Sequence, residues 1–176
     1  MEQSTAQSPG KFAITYGVIL GIIIVLIALL MYVTGMALEG IQWPMYIYYV
    51  IFPVVIIIAI KAYKKENSGF LSVSEALKTG VATAVISGLI FLVYNLLFNY
   101  IIEPTYAQQA IDATRDQLSE AGTMTDEQIE ATLEWVKWGS DPLIGSAIWI
   151  AFSAFLGLIY SLIAGLIMKQ KRPYEV

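Results

Sequence analysis

Three polar residues inside an otherwise apolar stretch are the first candidates for chemistry. Asn95, Asn99 and Glu103 are four residues apart, which places them on one face of a helix. Such a face could line an outward-facing vestibule or bind a lipid headgroup. The amides could instead bridge helices, one of them meeting the Tyr49 carbonyl that Pro53 leaves free, while Glu103 stays in water. We favour the bridging interpretation.

Few other side chains offer chemistry. The 176-residue chain has no cysteine and no histidine, which excludes disulfides, thiol nucleophiles, sites with Cys or His ligands, and imidazole catalysis. No ionisable residue lies deep in an apolar run, where proton or ion coupling usually places one; Glu39 and Glu103 come closest. The carboxylates of residues 103–141 lack the alternating spacing of a calcium loop. The sequence therefore predicts no catalytic residue, no metal site, no cofactor and no enzymatic activity.

Long apolar runs must position these residues. Of the chain, 57% is apolar and only 14% is charged, against about 25% charged in typical globular domains. A chain this short has no large interior to hide so much apolar surface. About 20 apolar residues suffice for a helix to cross a bilayer, and the first run is too long for a signal peptide. The predicted fold is an all-α membrane protein with four transmembrane helices, at about residues 12–38, 41–62, 79–102 and 143–168.

The segment 103–141 is the only sizeable polar stretch between the spans. Its pattern predicts two short amphipathic helices followed directly by the fourth span. The helix boundaries are marked by residues that commonly start or end helices: Gly122, Thr125, Gln128, Asp141 and Pro142. Trp135 and Trp138 place the second of these helices either on the outer membrane surface or over the end of the bundle, and the sequence leaves that choice open.

The distribution of basic residues predicts the orientation. Eight of the ten Lys and Arg residues lie before the first span, between the last turn of the second span and the start of the third, or after the fourth, whereas 103–141 holds two, beside nine acidic residues. Short basic segments face the cytoplasm. Both termini are therefore predicted to be cytoplasmic, with 1–11 as a disordered segment and 169–176 as a tail, and 103–141 is predicted to lie outside.

Small residues recur every four positions in three of the spans. Lipid gives helices little hydrophobic reason to associate, so close approach at small residues matters. The repeats predict helix-packing faces, either within one chain or between copies in a homo-oligomer. Their members are Ala13, Gly17 and Gly21; Gly80, Ala84 and Gly88; and Ser153, Gly157, Ser161 and Gly165.

Aromatic residues cluster near the predicted ends of the spans. The outer set is Trp43, Tyr46, Tyr48 and Tyr49, and the inner set is Tyr16 and Tyr63. Tyr and Trp favour the interface between membrane and water, so a belt is the favoured interpretation. An aromatic cage around a ligand is the alternative.

Several segments occur in an order that is characteristic when taken together. A Tyr16–Gly17 pair in the first span is followed by GFLSVSEALKTG at 69–80, NYIIEPT at 99–105 and MTDEQIE at 124–130. This order resembles a family of bacterial membrane proteins known as domain of unknown function 4199, although Val73 stands where that family favours an aromatic residue. The resemblance covers nearly the whole chain and implies a small bacterial inner-membrane protein. It brings no catalytic residues with it.

These observations lead us to expect a non-enzymatic integral membrane protein with a scaffolding, accessory or envelope-maintenance role. Its expected partners are the lipid bilayer and either a second copy or another membrane protein, but not nucleic acid. The alternative is a small oligomeric transporter or channel subunit that uses the polar face of the third span, since four helices alone leave little room for a pore. An enzyme acting on lipid is the third choice.

Overall fold

A computed structural model describes residues 8–172, and this part of the chain is helical, as predicted. A π-helical turn, Phe98–Ile102, extends the third α-helix, and between residues 8 and 172 the only β-type pairing is one isolated bridge. The α-helices are α1 (Pro9–Val33), α2 (Trp43–Glu66), α3 (Val73–Leu97), α4 (Tyr106–Ala121), α5 (Asp126–Ser140) and α6 (Pro142–Met168).

Four of these helices are long enough and apolar enough to cross a membrane. They are α1, α2, α3 with its π turn, and α6, with 24 to 30 residues each and a mean hydropathy of 2.1 to 2.9. Large apolar side chains point outward from them, for example Leu26, Val93 and Phe155. Such a surface suits lipid better than water. The four apolar helices indicate a multi-pass membrane protein.

The third helix is the centre of the bundle. α3 lies between α1 and α6 and packs closely on both, while α2 packs across all three. The buried core lies beneath α2, where Phe52, Ile56 and Ile60 meet Leu20 and Ile24. α1 and α3 run in the same direction, and α2 and α6 run in the opposite one.

Small residues let α3 approach its neighbours. A Cβ atom added at Gly17 would lie 2.7 Å from the Ile86 side chain, and one added at Gly157 would lie 2.6 Å from the Cβ of Ala84. All members of the three predicted repeats are buried inside the chain: Ala13, Gly17, Gly21, Gly80, Ala84, Gly88, Ser153, Gly157, Ser161 and Gly165. The repeat in α1 faces isoleucines of α3, and the repeats in α3 and α6 face each other.

The first helix differs from its predicted span at both ends. The Ser8 hydroxyl accepts a hydrogen bond from the Gly10 amide, so α1 begins at Pro9, inside the segment predicted to be disordered. Residues 1–7 of that segment, like 173–176 of the predicted tail, lie outside the described residues. α1 ends at Val33 rather than near residue 38, because the following turn contains Gly35 at φ +77°.

The third helix begins six residues before its predicted start. Ser72 and Glu75 form a capping box: the Ser72 hydroxyl accepts from the Glu75 amide at 3.2 Å, and the Glu75 carboxylate accepts from the Ser72 amide at 2.7 Å. α3 therefore starts at Val73 and includes Glu75 and Lys78 in its first two turns.

Polar contacts close the end of the bundle where α1 and α3 begin, which we call the basic end. The Lys64 ammonium donates to the last carbonyl of α6 at 2.9 Å. Arg172 donates to the side-chain oxygen of Asn67 at 3.0 Å. The backbones of Leu71 and Gln170 exchange two hydrogen bonds, at 3.1 and 2.8 Å. The end of α6 is thereby fastened to the turn between α2 and α3.

Two tyrosines predicted for the aromatic belt are buried instead, so that part of the prediction was wrong. Tyr48 is 1% exposed and shares a hydrogen bond of 3.1 Å with Ser87 of α3. Tyr63 is 3% exposed and donates to Glu75 at 2.7 Å. Both lie on the face of α2 that packs on the other helices. A hydrogen-bond partner for each tyrosine hydroxyl makes this burial tolerable.

The helices α4 and α5 form a hairpin with a small core of its own. Ile111, Ile129 and Leu133 are buried between them. Gly122 ends α4 in the left-handed conformation, and the capping box of Thr125 and Gln128 starts α5, so both predicted boundaries are confirmed.

Polar contacts at two places help to join the hairpin to the rest of the molecule. Gln117 donates to the Leu38 carbonyl in the turn between α1 and α2, at 2.8 Å. Asp141 caps α6 by accepting from two of its first amides, as its position before Pro142 predicts. We call this end of the bundle, with residues 34–42 and 98–141, the acidic end.

Candidate functional site

Asn95 connects α3 to α6 near the acidic end. Its Nδ2 atom donates to the Pro142 carbonyl at 3.2 Å and to the Ser146 hydroxyl at 3.0 Å. Its Oδ1 atom accepts from the side chain of Asn99 at 2.8 Å. Ser146 is fully buried. This is the geometry that the bridging interpretation expects, although its partner is α6 and not the Tyr49 carbonyl.

Glu103 belongs to a different network from the two asparagines. It follows the π-helical turn, whose last bond joins its amide to the Phe98 carbonyl at 2.8 Å. Its carboxylate accepts hydrogen bonds from Tyr32 of α1 at 3.1 Å, from the Thr105 hydroxyl, and from Gln109 of α4 at 3.3 Å. Among the described residues, no hydrogen bond joins Glu103 to either asparagine. The predicted stripe is therefore divided into an amide pair and a carboxylate that joins α1 to α4.

The ionisation states at this end follow from these contacts. Hydrogen bonds from the Thr105 hydroxyl and then from Tyr32 hold the pKa of Glu103 below its ordinary value of 4.5. Burial raises the pKa of Tyr106 above 10.0. At neutral pH the Glu103 carboxylate is therefore charged, while the Tyr106 phenol is neutral.

A cavity of about 400 Å³ lies between α1, α2, α3 and the start of α4 at the acidic end. Its wall contains no charged residue, and its polar side chains besides tyrosine are those of Gln42 and Asn95. Aliphatic residues such as Met31 and Ile41 form much of the rest. Six aromatic rings also line it: Tyr32, Tyr49, Phe91, Tyr94, Phe98 and Tyr106.

Phe98, the first residue of the π turn, holds the aromatic cluster together. It is 3% exposed, and its ring centroid lies 4.8 Å from that of Tyr32, 5.2 Å from that of Tyr106 and 5.6 Å from that of Tyr94. Within residues 8–172, the hydroxyls of Tyr94 and Tyr106 have no hydrogen-bond partner in the protein. The cluster therefore offers ring surface and two phenol groups to a ligand.

The sequence interpretation missed this cavity. Phe91, Tyr94 and Phe98 recur at helical spacing, which was an available signal for one aromatic face of α3. No sequence signal marked the π turn, which is a feature often found at functional sites. Within the described residues, no group of three or more acidic side chains is arranged to hold a metal ion.

Comparison with known families supports the resemblance that the sequence segments suggested. A family model described as "Protein of unknown function (DUF4199)" matches residues 15–170. Neither the curated proteins nor the solved structures gave a match.

Proposed function

Since the chain belongs to the DUF4199 family, whose function is unknown, we propose a role from its own residues. The protein is a non-enzymatic component of the bacterial inner membrane that serves as a scaffold, an accessory subunit or part of envelope maintenance. Its partners are lipid and another membrane protein or a second copy of itself.

The hydrogen bonding of Asn95 carries this proposal. Asn95 and Asn99 are the strongly polar side chains well inside the third span, and the amide of Asn95 is used to join α3 to α6. Charged residues within the four spanning helices lie only in the two turns nearest the basic end. Transporters of protons or ions usually place a charge deep in the membrane. The described residues thus supply hydrogen bonds that hold the helices together. They do not supply the deeply placed charge that ion conduction usually uses.

The cavity is the one observation that favours the alternative, a transporter or channel subunit. Its lining residues reach Ile24 in α1 and Phe91 in α3, about halfway along the bundle. Beyond them Leu20 and Ile56 are fully buried. The cavity therefore ends inside the bundle, which suits a binding pocket better than a passage.

The proposed role is tested by reconstitution and by isolation from native membranes. Purified protein in liposomes should conduct neither protons nor small ions above the level of empty liposomes. Affinity isolation should recover a membrane protein in a fixed ratio to this chain. A flux that disappears in Asn95→Leu, from protein that is isolated without a partner, would establish the transporter role instead.

We also propose that the basic end faces the cytoplasm and that α4 and α5 lie outside. The support is the charge distribution, because basic residues surround one end and nine acidic residues lie in 103–141 at the other. The lack of native cysteine allows single cysteines to report the topology. An impermeant thiol reagent added to intact cells should label Thr123→Cys and leave Lys65→Cys unlabelled. Both positions are exposed, so the reverse pattern would invert the topology.

Membrane contact by α5 is part of this arrangement. Trp135 and Trp138 are 74% and 52% exposed, and α6 begins at Pro142, only four residues after Trp138. Both rings are therefore close in sequence to the start of α6, and we propose that they lie at the membrane interface, where indoles are stabilised. In a Trp43→Phe/Trp149→Phe variant, whose remaining tryptophans are Trp135 and Trp138, lipids brominated near the headgroup should quench most of the tryptophan fluorescence. Fluorescence that these lipids leave unchanged would place α5 away from the membrane.

A further inference from the structure

We infer that the cavity at the acidic end binds a hydrophobic organic cation of the quaternary ammonium or phosphonium class. This inference goes beyond the proposed scaffolding role, which requires no small ligand. It rests on the aromatic wall of the cavity, on the charge beside that wall and on the composition of the remaining wall.

The aromatic wall is the first argument. Rings of Tyr32, Tyr94, Phe98 and Tyr106 lie with centroids 4.8 to 5.8 Å apart around one end of the cavity. The face of an aromatic ring is electron-rich and attracts cations, and cages of such rings recognise quaternary ammonium groups. These four rings all line the same cavity, so a cation bound in it would lie close to several of them.

The charge beside the wall is the second argument. No Lys or Arg side chain lines the cavity. The Glu103 carboxylate accepts a hydrogen bond from the Tyr32 hydroxyl at 3.1 Å, so a negative charge lies one hydrogen bond behind the wall. The segment 103–141 adds eight further acidic residues and only two basic ones at this end. This field favours a cation over an anion.

The remaining wall indicates that the cation is organic. An inorganic cation requires several oxygen ligands, whereas aliphatic side chains such as Met31, Ile41 and Met45 occupy much of the surface. The volume of about 400 Å³ falls within the range of small-molecule sites. A ligand that combines a diffuse positive charge with apolar groups matches both features.

A pair of probes with the same shape and opposite charge tests the inference. Titration calorimetry of the purified full chain in a neutral detergent would measure binding of tetraphenylphosphonium and of tetraphenylborate, each corrected with protein-free micelles. We expect tetraphenylphosphonium to bind at least about tenfold more tightly. Equal affinity of the two ions, or no binding of the cation, would overturn the inference.

Variants locate the binding and separate it from folding. Tyr94→Leu should weaken cation binding roughly fivefold to thirtyfold, whereas Tyr94→Phe, which keeps the ring, should bind as the wild type does. Glu103→Gln should weaken binding of the cation but not of the anion. The matched controls are Tyr46→Leu and Glu66→Gln, which lie outside the cavity wall, and unfolding temperatures identify any misfolded variant. If Tyr94→Leu and Glu103→Gln both bind like these controls, the cavity is not the site.

Discussion

The two ends of the helix bundle are built from the same helices but are closed in different ways. Towards the basic end, α3 presents Gly80 and Ala84 to Gly157 and Ser161 of α6, and the backbones come within contact distance. Towards the acidic end, α3 presents large rings, and a cavity remains beside them. The half of the bundle around Gly80 and Ala84 is therefore tightly packed, and we call it the solid half; the half that contains the cavity is the hollow half.

The two ends of the bundle also differ in their polar interactions. At the basic end, Lys64, Asn67 and Arg172 fasten the end of α6 to its surroundings. At the acidic end, Glu103 accepts hydrogen bonds from α1 and α4 at the edge of an unfilled space. We expect substitutions in the solid half to act mainly on stability, and those in the hollow half to act mainly on ligand binding.

The largest effect is expected for Gly157→Leu. The backbone at Gly157 lies so close to Ala84 that even a Cβ atom would be 2.6 Å from the alanine methyl group. Overpacking a tight contact usually costs about 1–3 kcal/mol, and a leucine between two backbones should exceed that. Unfolding followed by circular dichroism in detergent should show a large loss for Gly157→Leu and almost none for Ile159→Leu, at a lipid-facing position. Similar losses in the two variants would mean that the contact is not specific.

An intermediate effect is expected for Asn95→Leu, at the boundary between the solid and hollow halves. This change removes the hydrogen bonds to Pro142 and Ser146, and bonds of this kind in membranes contribute about 0.6 kcal/mol on average and about 1.7 kcal/mol at most. The same unfolding measurement should therefore show a moderate loss.

Thiol labelling provides a further test of the role of Asn95. A cysteine at Asn95 should react slowly with a water-soluble reagent, whereas one at Gln42, which is exposed and also lines the cavity, should react quickly. Rapid labelling at position 95 with unchanged stability would show that Asn95 lines an open vestibule and does not join the helices.

The smallest effect is expected for Glu103→Gln, and it should depend on pH. The folded-state pKa of Glu103 is lowered from 4.5, so its carboxylate stabilises the fold above that pH. This contribution should disappear as the pH falls from 4.5 through the lower folded-state pKa. The difference in unfolding temperature between wild type and variant should thus be present at neutral pH and vanish in acid. A difference that persists below the folded-state pKa would assign the effect to packing.

Much of the fold could be predicted because membrane spans follow from apolar length and from local caps. The four spans, Gly122, the capping box at Thr125 and the small-residue repeats needed only local patterns. The early start of α3 was also readable, since Ser72 and Glu75 have capping-box spacing.

The cavity and the burial of Tyr48 could not be predicted because they depend on which faces of four helices meet. Tyr48 has the sequence context of a belt residue, and only the position of α2 across the other helices turns it inward. The rings around the cavity come from α1, α2, α3 and α4, which are distant in sequence. A local pattern connects only Phe91, Tyr94 and Phe98, which share one helical face, and it does not connect them to the rings of the other helices.

The central position of α3 has a consequence for assembly during synthesis. The glycine-bearing face of α1 contacts α3, and α2 also depends on α3 for part of its buried surface. The first two helices therefore enter the bilayer before the helix that covers Gly17 and Gly21 exists. A hairpin cut off after Glu66 would leave these glycines facing lipid and open to mispairing with another chain. Completion of the bundle waits for α6, which is synthesised after the other five α-helices described here and whose end is hydrogen-bonded to the turn before α3.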